Sequence, residues 1–231
     1  MKKIFFCSFL LIVFLINGCS WFFEPSEEAK NESYEAGNKA LSEGKFEEAK
    51  SFFRQIPQSS PFYPQAIWMI QKVPFKKGVA AYNQKKYQLA LDELSKIPTH
   101  SPEYEEAKKY KKLTTYSLLL KKYKDSKRKD SFYMIKDLID VSNELDNLNF
   151  HLENFSLIEN ELKVRMSKKK TAYLINLLWS MIELNNEPKL NQKALDYLLK
   201  DIEFFYNQPE VRPLVFQIIG NLKIELRRNT L

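Results

Sequence analysis

The chain has 231 residues, with 36 Lys and Arg against 29 Asp and Glu, a formal charge of +7, and only two Cys, two His and five Gly. So few cysteines exclude a disulfide scaffold, and so few glycines exclude a glycine-rich phosphate loop. The two histidines, His100 and His151, are too far apart in sequence to read as a clustered metal site.

The first 18 residues read as a leader. Lys2 and Lys3 precede an apolar run from Ile4 to Ile16, which is shorter than the ~20 residues needed to span a bilayer. Removing it takes Cys7 and two lysines away and leaves 34 basic against 29 acidic side chains, a balance of +5. Residues 19–25 form a tether in which Trp21, Phe22 and Phe23 suit the lipid headgroup region. Ser26 with Glu27 and Glu28 reads as a helix start, because acids in a first turn complement the helix dipole.

From Tyr34 the chain repeats itself. Shifting residues 34–66 by 41 positions onto 75–107 gives ten identities in 33 positions: Gly37/Gly78, Ala40/Ala81, Lys45/Lys86, Ala49/Ala90, Ile56/Ile97, Pro57/Pro98, Ser60/Ser101, Pro61/Pro102, Tyr63/Tyr104 and Ala66/Ala107. About two would be expected by chance at average residue frequencies. A period of this size marks stacked supersecondary units. In the first copy a helix is expected to about Glu43, then a break at Gly44, then a helix over 46–56 stopped by Pro57. Between the copies Pro74 predicts either a kink or a short separate helix with Pro74 opening the next one, since proline inside a straight helix costs about 3 kcal/mol or more.

A third, diverged copy is expected, with Tyr116 and Tyr123 at the offsets of Phe75 and Tyr82, and Ile135 and Leu138 at those of Leu94 and Ile97. Its first helix covers 102–124 and is followed by a loop or frayed end, KKYKDSKRKD. The remainder reads as helices over 130–148, 151–166, 169–185, 189–206 and 209–228, with Pro188 and Pro209 in first turns. No segment reads as a strand. The expected organisation is therefore all-α: leader 1–18, tether 19–25, repeat region 26–125 and C-terminal helical region 126–231, the last capping the array.

Two family resemblances rest on these residues. Ile16-Asn17-Gly18-Cys19 resembles the lipobox of bacterial lipoproteins, which implies a diacylglyceryl thioether on Cys19, cleavage before it and acylation of the new amino group. Several acyl chains hold a protein firmly on a membrane. By the same resemblance Ser20 implies sorting to the outer membrane, with the periplasmic or surface side left open. Gly37, Gly44, Phe46, Ala49, Phe53 and Pro61, matched by Gly78, Tyr87, Ala90, Leu94 and Pro102, resemble the tetratricopeptide repeat of 34 residues. Lys85 stands where that family has its turn glycine, and the period here is longer by seven residues, or two helical turns.

The tetratricopeptide resemblance implies a groove lined by the first helices of successive units. Carried over position by position, these are Tyr34, Asn38 and Leu41, then Phe75, Val79 and Tyr82, then Tyr116, Leu120 and Tyr123. The groove would hold a protein segment, although the same residues would serve as packing between neighbouring helices. The combination is also similar to the lipoprotein subunit of the outer-membrane β-barrel assembly machine, which implies a partner in outer-membrane protein assembly.

A second candidate surface is electrostatic. Lys108 to Lys129 contains ten basic residues and one acid, Asp125. Lys121, Lys122, Lys124, Lys127, Arg128 and Lys129 read either as a solvated face or as contacts for anionic lipid or a polyanion. His151 with Glu153 is expected to be solvated. No nucleophile motif is present, so the expected function is non-catalytic: an envelope scaffold binding a protein, or alternatively a surface adhesin for polyanions or lipid. No cofactor is expected beyond the lipid on Cys19, and no nucleic acid for an exported chain.

Overall fold

The computed structural model describes residues 27–126, 133–145, 147–164 and 167–228. Cys19, the leader and tether, and Lys127, Arg128 and Lys129 of the basic run lie outside the described residues. Among the described residues the fold is all-helical. Eleven α-helices follow in order: α1 (Glu27–Ser42), α2 (Phe46–Arg54), α3 (Tyr63–Asn83), α4 (Tyr87–Leu94), α5 (Tyr104–Asp125), α6 (Met134–Asn143), α7 (Leu148–Lys163), α8 (Lys168–Asn185), α9 (Pro188–Lys200), α10 (Ile202–Tyr206) and α11 (Arg212–Arg228). No helix among them is long and apolar enough to cross a membrane.

The chain divides into two compact units between Ala80 and Ala81, within α3. In the first unit α1 and α2 pack around Ala40, Ala49, Phe53 and Ile56, with Ala66 of α3 completing the cluster. The approach of α1 to α2 depends on Gly37. A Cβ added there would lie 2.6–2.9 Å from three atoms of the Phe53 ring, and that ring is 1% exposed. Glu47 on α2 pairs with Lys77 on α3 at 2.9 Å.

The local geometry of the first copy returns 41 residues later. Gly44 has φ +75°, and Lys85, its equivalent, has φ +59° despite carrying a side chain. Lys45 N–H donates to Ala40 O at 2.8 Å, and Lys86 N–H to Ala81 O at 2.9 Å. Lys45 and Lys86 lead into α2 and α4 at φ, ψ of −84°, 65° and −87°, 63°. After each short helix the Ser60 hydroxyl accepts from Phe62 N–H at 3.2 Å, and the Ser101 hydroxyl from Glu103 N–H at 3.3 Å. These serine turns start the next long helix.

The second unit has one large core, built from α6 to α11 and joined by Tyr116 of α5. Ile135 and Leu138 are fully buried, as Leu94 and Ile97 are nearly so, which preserves the burial pattern of the repeat. The turn is not preserved: Ser126, at the offset of Lys85, has φ −77° and ψ 119°.

Three expectations need correction. Of the two alternatives at Pro74, the separate helix is ruled out: Pro74 neither opens a helix nor separates two, but lies inside the continuous α3. Val73 and Phe75, 0% and 6% exposed, anchor the helix on both sides of it. Burying such side chains contributes roughly 1.5–3 kcal/mol each, enough to offset the proline. The helix expected over 189–206 is two, because Asp201 leaves helical geometry at φ −102° and ψ 21°. The last helix starts at Arg212 rather than at Pro209, since Gln208 O accepts from Val211 and Arg212 N–H at 3.0 and 2.8 Å and holds Pro209 in a turn.

Replacing Lys85 by Gly should stabilise the protein by about 0.5–1 kcal/mol, because it relieves a left-handed conformation that costs roughly 1–2 kcal/mol while adding unfolded-state entropy. Gly37→Ala should cost about 1–3 kcal/mol through the Phe53 clash. Urea unfolding followed by circular dichroism measures both. A destabilised Lys85→Gly variant would contradict the strain argument.

Candidate interaction surfaces

The groove residues carried over from the repeat resemblance have different fates. On α1, Tyr34 is half-buried and stacks on Phe62 and leans on Phe53, at 5.6 and 5.8 Å between centroids. Leu41 packs beside it on the first core. Asn38 is half-buried, and its Oδ1 has no hydrogen-bond partner among the described residues. On α3, Phe75 is buried, whereas Val79 and Tyr82 are half-buried. Tyr82 meets Tyr110 edge-on at 5.8 Å and Tyr87 at 6.1 Å.

The third set on α5 is committed inward. Tyr116 is 1% exposed and donates its hydroxyl proton to Asn154 Oδ1 at 2.9 Å. Tyr123 donates to Glu161, and Leu120 packs on the second core. Tyr116 therefore offers no surface to a partner. Its spacing on the helix is the one expected, but α7 covers the face that an open array would leave free.

Behind Tyr116 lies a buried polar chain that the sequence pattern did not reveal. Asn154 Nδ2 donates to Ser142 Oγ at 2.8 Å, and Ser142 donates its own proton to Ile139 O at 2.9 Å. His151 Nδ1 sits 3.4 Å from the same Oγ. With that hydroxyl proton already on a carbonyl, the imidazole acts as the donor in this contact. His151 is 2% exposed, so the expectation of a solvated histidine was wrong. The signal lay in the i, i+3 spacing of His151 and Asn154, which places both on one face of α7.

The basic run is divided by the fold. Lys121 and Lys122 are exposed, and Lys124 is exposed with Nζ 3.2 Å from Glu153 Oε1 on α7. Lys112 pairs with Glu144 at 2.9 Å. Carboxylates distant in sequence thus compensate part of what reads as an uninterrupted positive stretch.

Two clefts open in the second unit. One, of about 320 Å³, lies among α4, α5 and α6, with Leu94, Ile97 and Ala107 at its base and Lys108, Lys111 and Lys112 on one wall. The other, of about 460 Å³, lies among α8, α9 and α11, and is lined by Trp179, Glu183, Asn191 and Glu225 among others. Asn191 is fully buried; its Nδ2 donates to Asn186 Oδ1 at 3.2 Å, and its own Oδ1 has no partner among the described residues.

Comparison of the chain with protein-family models, with curated proteins and with solved structures finds no match. The surfaces must be read from their own chemistry.

Tyr116, Tyr123 and Tyr197 titrate well above the ordinary tyrosine value. Burial is the main cause for each, followed by the Glu153 carboxylate for Tyr116, the Glu161 hydrogen bond for Tyr123 and Asp201 for Tyr197. A raised folded-state value gives stability that is complete below the unfolded value of ~10 and is lost as pH climbs above it. Tyrosinate absorbance should therefore rise in two stages, with these three ionising only as the helical signal is lost. Ionisation of all tyrosines in a single step, with helicity intact, would contradict it. Tyr116→Phe should cost about 1–3 kcal/mol, because Asn154 Oδ1 is left buried without its donor.

Proposed function

We propose that this protein is a non-catalytic scaffold of the bacterial cell envelope, held on a membrane by lipid on Cys19, that binds a protein segment through the first helices of tetratricopeptide-like repeats. The recurrence of one helix-turn-helix geometry at an interval of 41 residues carries this reading. Gly44 and Lys85 adopt the same left-handed turn. Duplicated helical hairpins of this kind expose repeated helix faces rather than a single enclosed pocket. The basic, apolar leader followed by Cys19 supports the envelope assignment. The outer membrane, and a partner in outer-membrane protein assembly, are the specific form of the proposal that the lipoprotein resemblance favours.

Asn38 belongs to the proposed groove by its position on α1, where it is half-buried and its Oδ1 has no hydrogen-bond partner among the described residues. Tyr82 adds an aromatic face of a type enriched in interfaces.

Crosslinking in the native envelope, with the full chain as bait, should capture a protein that is lost with Asn38→Ala or Tyr82→Ala. It should be retained when Lys121, Lys122 and Lys124 are changed to Glu. Asn38→Ala should leave the unfolding midpoint nearly unchanged. The reverse pattern, with loss on charge reversal alone, would replace the scaffold with a polyanion-binding adhesin. Separately, Cys19→Ala should abolish fatty-acid labelling and release the protein from the detergent phase; unchanged partitioning would refute the anchor.

A further inference from the structure

The cleft of about 320 Å³ among α4, α5 and α6 differs from its counterpart in the first repeat in a directed way. Subtracting 41 from its lining residues maps Leu94, Ile97, Tyr104 and Ala107 onto Phe53, Ile56, Tyr63 and Ala66, and Lys108 and Lys111 onto Ile67 and Ile70. In the first copy Phe53, Ile56 and Ala66 form a closed core, with Tyr63 and Ile70 packed against it. In the second, Phe is reduced to Leu and the two isoleucines are lysines. Ile67 is already 36% exposed in the first copy, so the consequential change is Ile70 to Lys111, whose ammonium cannot close over apolar neighbours as Ile70 does without losing solvation.

The result is a site with two kinds of wall. Leu94 and Ala107 are 1% exposed and Ile97 8%, forming an apolar base. Residues 104, 107, 108, 111, 112 and 115 follow the i, i+3, i+4, i+7 spacing that brings one face of α5 onto the cleft. Lys111 is half-buried there, and no carboxylate among the described residues pairs with it. Lys112 is held by Glu144 at 2.9 Å, and among the described residues Lys108 has only a long contact of 3.9 Å with the exposed Glu105. Three ammonium groups against one well-placed carboxylate leave the wall positive.

We propose that this cleft binds a single-chain amphiphilic anion, with its alkyl chain on Leu94, Ile97 and Val141 and its carboxylate or phosphate head against Lys108 and Lys111. The volume of about 320 Å³ accommodates about ten groups of water or methylene size, at roughly 30 Å³ each. That is an alkyl chain of medium length. Lysine ammonium groups act as mobile point charges and so suit a head group that projects towards solvent. The site lies wholly within the second unit and involves none of the residues assigned to protein binding, so it stands or falls independently of the scaffold reading.

The test uses the full-length chain in a non-ionic detergent, with a diazirine-bearing decanoate as photolabel and the matching decanol as neutral control. Labelling by the anion should map to peptides containing Leu94–Ile97 or Val141. Lys111→Ala should reduce it about fivefold, the loss expected for one lysine–anion contact, while Lys111→Arg should retain it. Decyl phosphate should compete as decanoate does if a phosphate head serves equally, and failure of the phosphate alone restricts the site to carboxylates. Equal labelling by decanol, labelling spread over other helices, or labelling unchanged in Lys111→Ala with its helicity intact would overturn the proposal. So would displacement of the photolabel by a polyglutamate peptide as readily as by decanoate, since that would make the site one for charge alone.

Discussion

The two hairpin turns depend on one residue each being held in the left-handed region. At Gly44 this is nearly free, because no Cβ meets the preceding carbonyl. At Lys85 the same backbone persists with a side chain that resists it, at φ +59°. Strain of this kind survives only where the surroundings over-determine the conformation. Here the determinants are visible: the bond from Lys86 N–H to Ala81 O, and the burial of Ala90 and Leu94 just beyond it. Once the turn is fixed, the apolar face of the short helix has only one direction in which to point. The Gly37–Phe53 approach, the serine turns and the start of each next long helix then follow.

That constraint explains which parts of the architecture were legible. Residues that set backbone geometry locally, such as Gly37, Gly44, Ser60 and Ser101, carry their meaning in sequence; the period of 41 located all but Gly44, whose counterpart is Lys85. The burial of Ile135 and Leu138 was legible for the same reason. Of the two alternatives at Pro74, the separate helix fails because the proline's local cost is outweighed by Val73 and Phe75, whose burial is a tertiary fact. The division at Asp201 was equally invisible: the apolar stripe runs through it, and only the backbone angles change.

The candidate sites were less legible, because they depend on which helix covers which face. Tyr116 has the spacing of a groove residue, and nothing nearby in sequence indicates that Asn154, 38 positions later, receives its hydroxyl. Likewise the basic run looks uniform until Glu144 and Glu153 arrive from α6 and α7 to pair with Lys112 and Lys124. A charge pattern read linearly counts only near neighbours, whereas Coulomb interactions at a few ångströms count whatever the fold brings close.

The two repeats thus keep the same backbone and diverge in what they place on it. Identity is concentrated at turns and at small residues where helices approach, where any change costs stability directly. Divergence falls on positions such as Ile70/Lys111, away from the turn. Ile70 packs against the first core, whereas the half-buried Lys111 keeps an ammonium at the cleft. The second unit tolerates a charge there because most of its apolar burial lies in the large core from Tyr116 to Leu222, which meets the cleft at Val141. The second copy can therefore carry charge at its cleft, whereas in the first the equivalent Ile70 packs on the cluster around Phe53, the core of that unit among the described residues.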